Sequence, residues 1–189
     1  MKRLFACIVC VLGALFFTNT LICIPLADCD EHEYNRRHRD KKIFENEDEP
    51  KLSLVENPIY AENCGACHYA YQPGLLPSNS WKKILDNLDN HFGEIVDIAP
   101  PVILEISEFL KANGANQSNA KLSRKIMKSL RDKTPLRISQ IPYIHKKHDD
   151  IPQSIFSRKS IGSLSNCSAC HTTAEKGIYD DDNVTIPRQ

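Results

Sequence analysis

Four stretches of the chain carry apolar residues at helical spacing. Between Ser80 and Phe92, Trp81, Ile84, Leu85, Leu88 and Phe92 recur at intervals of three and four, with Ser80 placed to cap the helix and Gly93 to stop it. A second helix is expected from Pro100 or Pro101 to Asn113, with Val102, Ile103, Ile106, Phe109 and Leu110 inward and Gly114 at its end. A weaker pattern near Ala120 to Leu130 carries Leu122, Ile126, Met127 and Leu130. A fourth helix, capped by Ser139 with Pro142 in its first turn, holds Tyr143, Ile144, His145 and His148, and Pro152 ends it. Thr172 to Gly177 reads as one more short helix, before an acidic, irregular tail from Asp180 to Gln189. No segment alternates as a strand would, so the pattern predicts an all-α protein. Pro135 breaks it and is the expected domain boundary.

The ends of the chain belong to different classes. Met1-Lys2-Arg3 precedes an apolar run from Leu4 to Phe17 and a second apolar patch from Leu21 to Ala27, the form of a secretory signal peptide over residues 1–27. If it is not cut, residues 4–26 are long enough for a single membrane-anchoring helix. Residues 28–56 are dense in charge and poor in apolar side chains, so burial cannot offset their ordering entropy and they read as a flexible linker. His32 and His38 lie there and read as solvated linker histidines. Removing residues 1–27 takes Lys2 and Arg3 and no acid, which leaves 22 basic against 24 acidic residues, a net charge of −2. That balance argues against a nucleic-acid partner.

Cysteine usage adds the chemistry. Of eight cysteines, Cys7, Cys10 and Cys23 fall within the signal and Cys29 is left as a free thiol or intermolecular disulfide candidate. The other four form two pentads, Cys64-Gly65-Ala66-Cys67-His68 and Cys167-Ser168-Ala169-Cys170-His171. C-x-x-C-H is the attachment signature of a c-type haem: two thiols about one helical turn apart add across the two vinyl groups of one porphyrin, and the following histidine offers a ring nitrogen to the iron. A zinc site or a redox dithiol needs no histidine directly after its second cysteine, and here it would have to arise twice. Cys64, Cys67, Cys167 and Cys170 are therefore expected to hold two covalent haem c groups, with His68 and His171 as proximal iron ligands. The two haem regions are drawn as residues 57–133 and 134–189.

The opposite face of each iron needs a second ligand, usually His or Met in an electron carrier. Beyond Met1 the only methionine is Met127, in the apolar set of its helix, so two methionine-ligated haems are excluded by counting. His91 falls on the same face as Ile84 and Leu88 and is the candidate for the first haem. His145 and His148, three apart on one face, compete for the second. Two strong axial ligands leave no open coordination position, which favours outer-sphere electron transfer over a haem enzyme of peroxidase or reductase type, and over a sensor using an exchangeable His145 or Met127.

These residues resemble the small dihaem cytochromes c of bacterial periplasms. The likeness runs through Tyr60 to His68, Ala70 to Pro77, Ser80-Trp81 and His91-Phe92-Gly93, then resumes at Pro135 to Ile138, Pro142-Tyr143, His148, Ile151-Pro152, Asn166 to His171, Ala174, Gly177 and Ile186-Pro187. It implies two haem domains in tandem and bis-histidine ligation, with His148 rather than His145 as the second distal ligand. It also implies electron exchange with a small oxygen-binding monohaem cytochrome, another redox protein or a membrane cytochrome b. The long charged linker and the additional His145 depart from the family pattern.

Overall fold

In a computed structural model of the chain, residues 50–188 are described. The signal peptide, Cys29, His32, His38 and most of the charged linker lie outside them. The described residues are helical, with two isolated bridges and no strand among them.

Among the described residues six α-helices follow one another: α1 Pro58–Cys64, α2 Ser78–Leu85, α3 Pro100–Asn113, α4 Lys121–Leu130, α5 Pro142–Lys147 and α6 Gln153–Phe156. Helix α1 was not evident from apolar periodicity, yet its start is written in the sequence. Asn57 caps it by accepting a hydrogen bond from the Tyr60 amide (2.7 Å), and Pro58 sits in the first turn, where no amide donor is needed. Helices α3 and α4 occupy the expected spans. Gly114 ends α3 for a packing reason: a Cβ there would meet the Ser78 Oγ at 2.5 Å and the Ser78 amide at 2.8 Å.

Three expectations are corrected. The helix drawn from Ser80 to Phe92 stops at Leu85, and its N-cap is Pro77; Ser80 lies inside it, fully buried. The stop has a local cause, since the Asn87 and Asn90 side chains compete for backbone hydrogen bonds. Asn87 Nδ2 donates to the Asn90 carbonyl (3.0 Å), and Asn90 Oδ1 accepts from the Gly93 amide (3.1 Å). Ser139 lies in a 3-10 turn, Ile138–Gln140, and the helix it was expected to cap begins at Pro142 and ends at Lys147; Pro152 instead precedes α6. Thr172 to Gly177 reduces to a 3-10 turn, Ala174–Lys176, closed by Gly177 at φ +68°.

One apolar cluster organises the unit. Tyr60 of α1, Trp81 of α2, Ile106 and Leu110 of α3, and Ile126 and Leu130 of α4 are buried together with Leu52, Leu75, Leu76, Ile138 and Ile141. Leu52 belongs to the stretch read as linker, but it is only 5 % exposed, and the Pro50 carbonyl accepts from the Lys121 amide. Leu52 and Val55 thus pack against the cluster, while their neighbours stay exposed. The cluster continues across Pro135 through Ile138 and Ile141. Ser80 Oγ is buried without a partner among the described residues, while three other polar contacts are made: Trp81 Nε1 donates to the Pro73 carbonyl (2.8 Å), Tyr60 Oη to Tyr71 O (2.8 Å), and Ser123 Oγ to Gly74 O (2.8 Å). Together these pin the loop 70–77 that follows the first pentad.

Candidate haem sites

Each pentad is delivered by a short helical element. Cys64 is the last residue of α1, and the Gly65 amide bonds back to Ala61 O, so the chain leaves the helix with Cys67 and His68 exposed. Cys167–Ala169 form a 3-10 turn, and the His171 amide bonds to Cys167 O at 2.8 Å. None of the four cysteines is in a disulfide, so each sulfur is available for attachment. Before attachment, burial pushes the Cys64 thiol up to about 11 and raises those of Cys167 and Cys170.

A histidine stands opposite each pentad histidine. The rings of His68 and His91 lie 6.4 Å apart between centroids, with planes 20° from parallel. Those of His148 and His171 lie 6.1 Å apart, with planes at 72°. Two imidazoles bound to one metal ion at ordinary metal–nitrogen distances of about 2.0–2.1 Å place their centroids about 6.3 Å apart. Both pairs meet that spacing, and two thiols precede each pentad histidine, as two covalent attachments per haem would need. The donor set fits a haem with two imidazoles at each site. His145 is exposed on α5 and faces neither pentad histidine.

Hydrogen bonds fix two of the rings. His148 Nδ1 contacts the Ile144 carbonyl at 2.8 Å and His68 Nδ1 the Tyr69 carbonyl at 2.9 Å. A carbonyl can only accept, so Nδ1 carries a proton in both, which leaves Nε2 as the ligating nitrogen of the neutral ring. His171 Nδ1 is buried without a partner among the described residues. Burial lowers the His91 pKa, helped by His68 and by the Arg137 guanidinium. Burial also lowers that of His171, helped by His148 and opposed by Asp181. Both shifts favour the neutral, metal-binding imidazole.

The elements that present His91 and His148 are not regular helix. His91 follows a 3-10 turn, Leu88–Asn90, and is tied by its amide to Glu94 O (2.7 Å), while Phe92 takes φ +57° and Gly93 φ +106°. The Arg137 guanidinium lies 3.9 Å from the Phe92 ring centroid, and that ring is 4.8 Å from His91. His148 closes α5 with non-helical φ −122°. The tail is anchored at the second site: Val184 bridges to His171, the Thr185 amide bonds to Cys170 O (2.9 Å), and Arg158 donates to Pro187 O (2.6 Å).

Comparison with known proteins agrees with this geometry. The dihaem cytochrome c family profile matches residues 60–179. A diheme cytochrome c from Rhodobacter sphaeroides is 38% identical, with a TM-score of 0.60 over 67% of this chain and 98% of that one. The diheme cytochrome c of Shewanella baltica is 36% identical, with a TM-score of 0.57 over 70% of this chain and 94% of that one. No curated protein matches the chain. The fold and the paired sites define an all-α c-type cytochrome, and the chain belongs to the dihaem cytochrome c family. It carries two covalently attached haem c groups.

Proposed function

We propose that the protein is an electron carrier in which each iron is held between two histidines, His68 with His91 and His171 with His148. The observation that carries this reading is the pair of ring separations, 6.4 and 6.1 Å, each suited to one intervening metal ion. Haem supplies a one-electron redox centre, and the chain's part is to close both axial positions, exclude substrate from the metal and set its surroundings. Carbonyl-bound Nδ1 atoms on His68 and His148 hold those rings in one tautomer and strengthen them as donors. An enzyme of peroxidase or reductase type would need one of these axial positions open.

The haem regions are taken as residues 57–133 and 134–189, and the protein as periplasmic, exported by the signal over residues 1–27 or tethered by it. Its partners would be a small monohaem cytochrome or another redox protein on one side, and a membrane cytochrome b on the other. Optical and magnetic spectra of the holoprotein test the ligation: both ferric haems should be low-spin. His91→Ala should convert the first haem alone to high-spin, and His148→Ala the second alone. A high-spin haem in the resting protein, or a substitution that opens the wrong haem, would overturn the pairing.

A further inference from the structure

The segment directly after the first pentad spends its side chains on the second site. Tyr71 Oη donates to the Ser165 carbonyl (2.5 Å), Tyr69 reaches the Tyr179 hydroxyl (2.9 Å), and Gln72, fully buried, meets Ala174 and Glu175. The directions of these bonds can be deduced. Gln72 Nε2 donates to Ala174 O (2.7 Å) and Glu175 O (3.3 Å), so Oε1 faces Tyr179 and accepts its only hydroxyl proton at 2.6 Å. The Tyr179 oxygen must then accept from Tyr69. One ordered chain runs Tyr69 to Tyr179 to Gln72 to the Ala174 carbonyl.

Ring contacts extend this chain to both pentad histidines. Tyr71 lies 5.0 Å from His68 between centroids and 4.6 Å from Tyr69, and Tyr179 lies 5.5 Å from His171. A continuous series therefore joins the two sites: His68, Tyr71, Tyr69, the Tyr69–Tyr179 hydrogen bond, Tyr179, His171. Nothing in the proposed ligation requires three tyrosines in this arrangement. We propose that Tyr71, Tyr69 and Tyr179 form the electronic bridge through which the two haem sites exchange electrons. One electron leaves the metal held by His68, which is oxidised by one unit, and arrives at the metal held by His171, which is reduced by one. The tyrosines are neither oxidised nor deprotonated, and no proton moves.

The inference rests on His68 and His171 being proximal ligands, and the spectra of each variant check that reading separately. Tyr179→Phe keeps the ring beside His171 and removes the one atom that links it to Tyr69. Tyr71→Leu removes the ring between His68 and Tyr69. In half-reduced holoprotein, exchange between the haems measured by magnetisation transfer between their methyl resonances should slow by roughly an order of magnitude in each. Because the contacts are in series, the double variant should slow by less than the product of the two single effects. Tyr143→Phe, outside the series, should exchange at the native rate. If Tyr71→Leu disturbs either haem spectrum, Tyr179→Phe alone decides. Native exchange in Tyr179→Phe, with both haems low-spin and their potentials unmoved, would overturn the bridge and assign exchange to the macrocycle edges.

Discussion

Single side chains separate the two sites more sharply than the repeated pentad suggests. The imidazole planes lie at 20° in the His68–His91 pair and at 72° in the His148–His171 pair. Near-parallel axial rings split the two iron orbitals that overlap with them, whereas near-perpendicular rings leave them almost degenerate. The ferric holoprotein should thus give one rhombic low-spin electron paramagnetic resonance signal and one with a single very large g value. His148→Ala should abolish the second signal and spare the first; two identical rhombic signals would contradict the ring geometry. His145 offers the internal control. It is exposed on α5 with no ring opposite it, so His145→Ala should change neither signal.

At the level of elements, the pentads were legible because everything they need lies within five residues. His91 stood out for its apolar helical spacing, but the chain brings it opposite His68 by a different route: α2 ends at Leu85, and a 3-10 turn and a tight bridge carry His91 back. That stop depends on the Asn87 and Asn90 side chains bonding to nearby backbone, which periodicity does not register. The step that closes the tyrosine series left no local trace, since the Tyr69–Tyr179 hydrogen bond spans 110 residues. Gly93 tests the His91 element directly. At φ +106° with open space around its Cβ position, Gly93→Ala adds backbone strain and no clash. It should cost about 1–3 kcal/mol, and part of that should surface as a high-spin fraction at the first haem alone. A unit-wide fall in stability with the first haem still fully low-spin would mean that the bridge does not position His91.

On the scale of the whole molecule, burial and charge are unevenly distributed. Deep packing lies before Pro142, and from there on the buried apolar residues are Phe156, Ile161 and Ala174. The region around the second pentad is held instead by hydrogen bonds, including those from the Tyr69, Tyr71 and Gln72 side chains, and, in the mature protein, by its haem. Replacing Cys170 by Ser should leave residues 157–188 open to protease while the cluster around Ile106 and Ile126 stays folded. Ile106→Ala, by contrast, should cost about 2–5 kcal/mol through the cavity it leaves. Equal loss of order throughout in the Cys170 variant would show that the two regions fold as one.

Charge argues for a direction of approach by a partner. Helix α4 buries Ser123, Ile126 and Leu130 and turns Arg124, Lys125 and Lys128 outward; exposed Arg131 and Lys133 follow, and Arg137 stacks on Phe92 beside His91. Between Lys121 and Lys147 there is one acid, Asp132. Some of this charge serves the fold: Lys147 pairs with Asp181 at 2.9 Å, and Lys125 lies 5.6 Å from the Tyr143 ring. Exposed pairs of this kind contribute about 0–1 kcal/mol, too little to account for so many like charges on one side. A basic surface ending at the first haem would instead steer an acidic redox protein to that site, raising encounter rates over a small interface. With a Debye length of about 10 Å at 0.1 M salt, the bimolecular electron-transfer rate should fall steeply as ionic strength rises. Reversing charge at Lys125 and Lys128 should flatten that dependence and leave both haem spectra unchanged. A rate indifferent to salt with an acidic partner would show that the basic face is a solvated helix surface and that docking is directed from elsewhere.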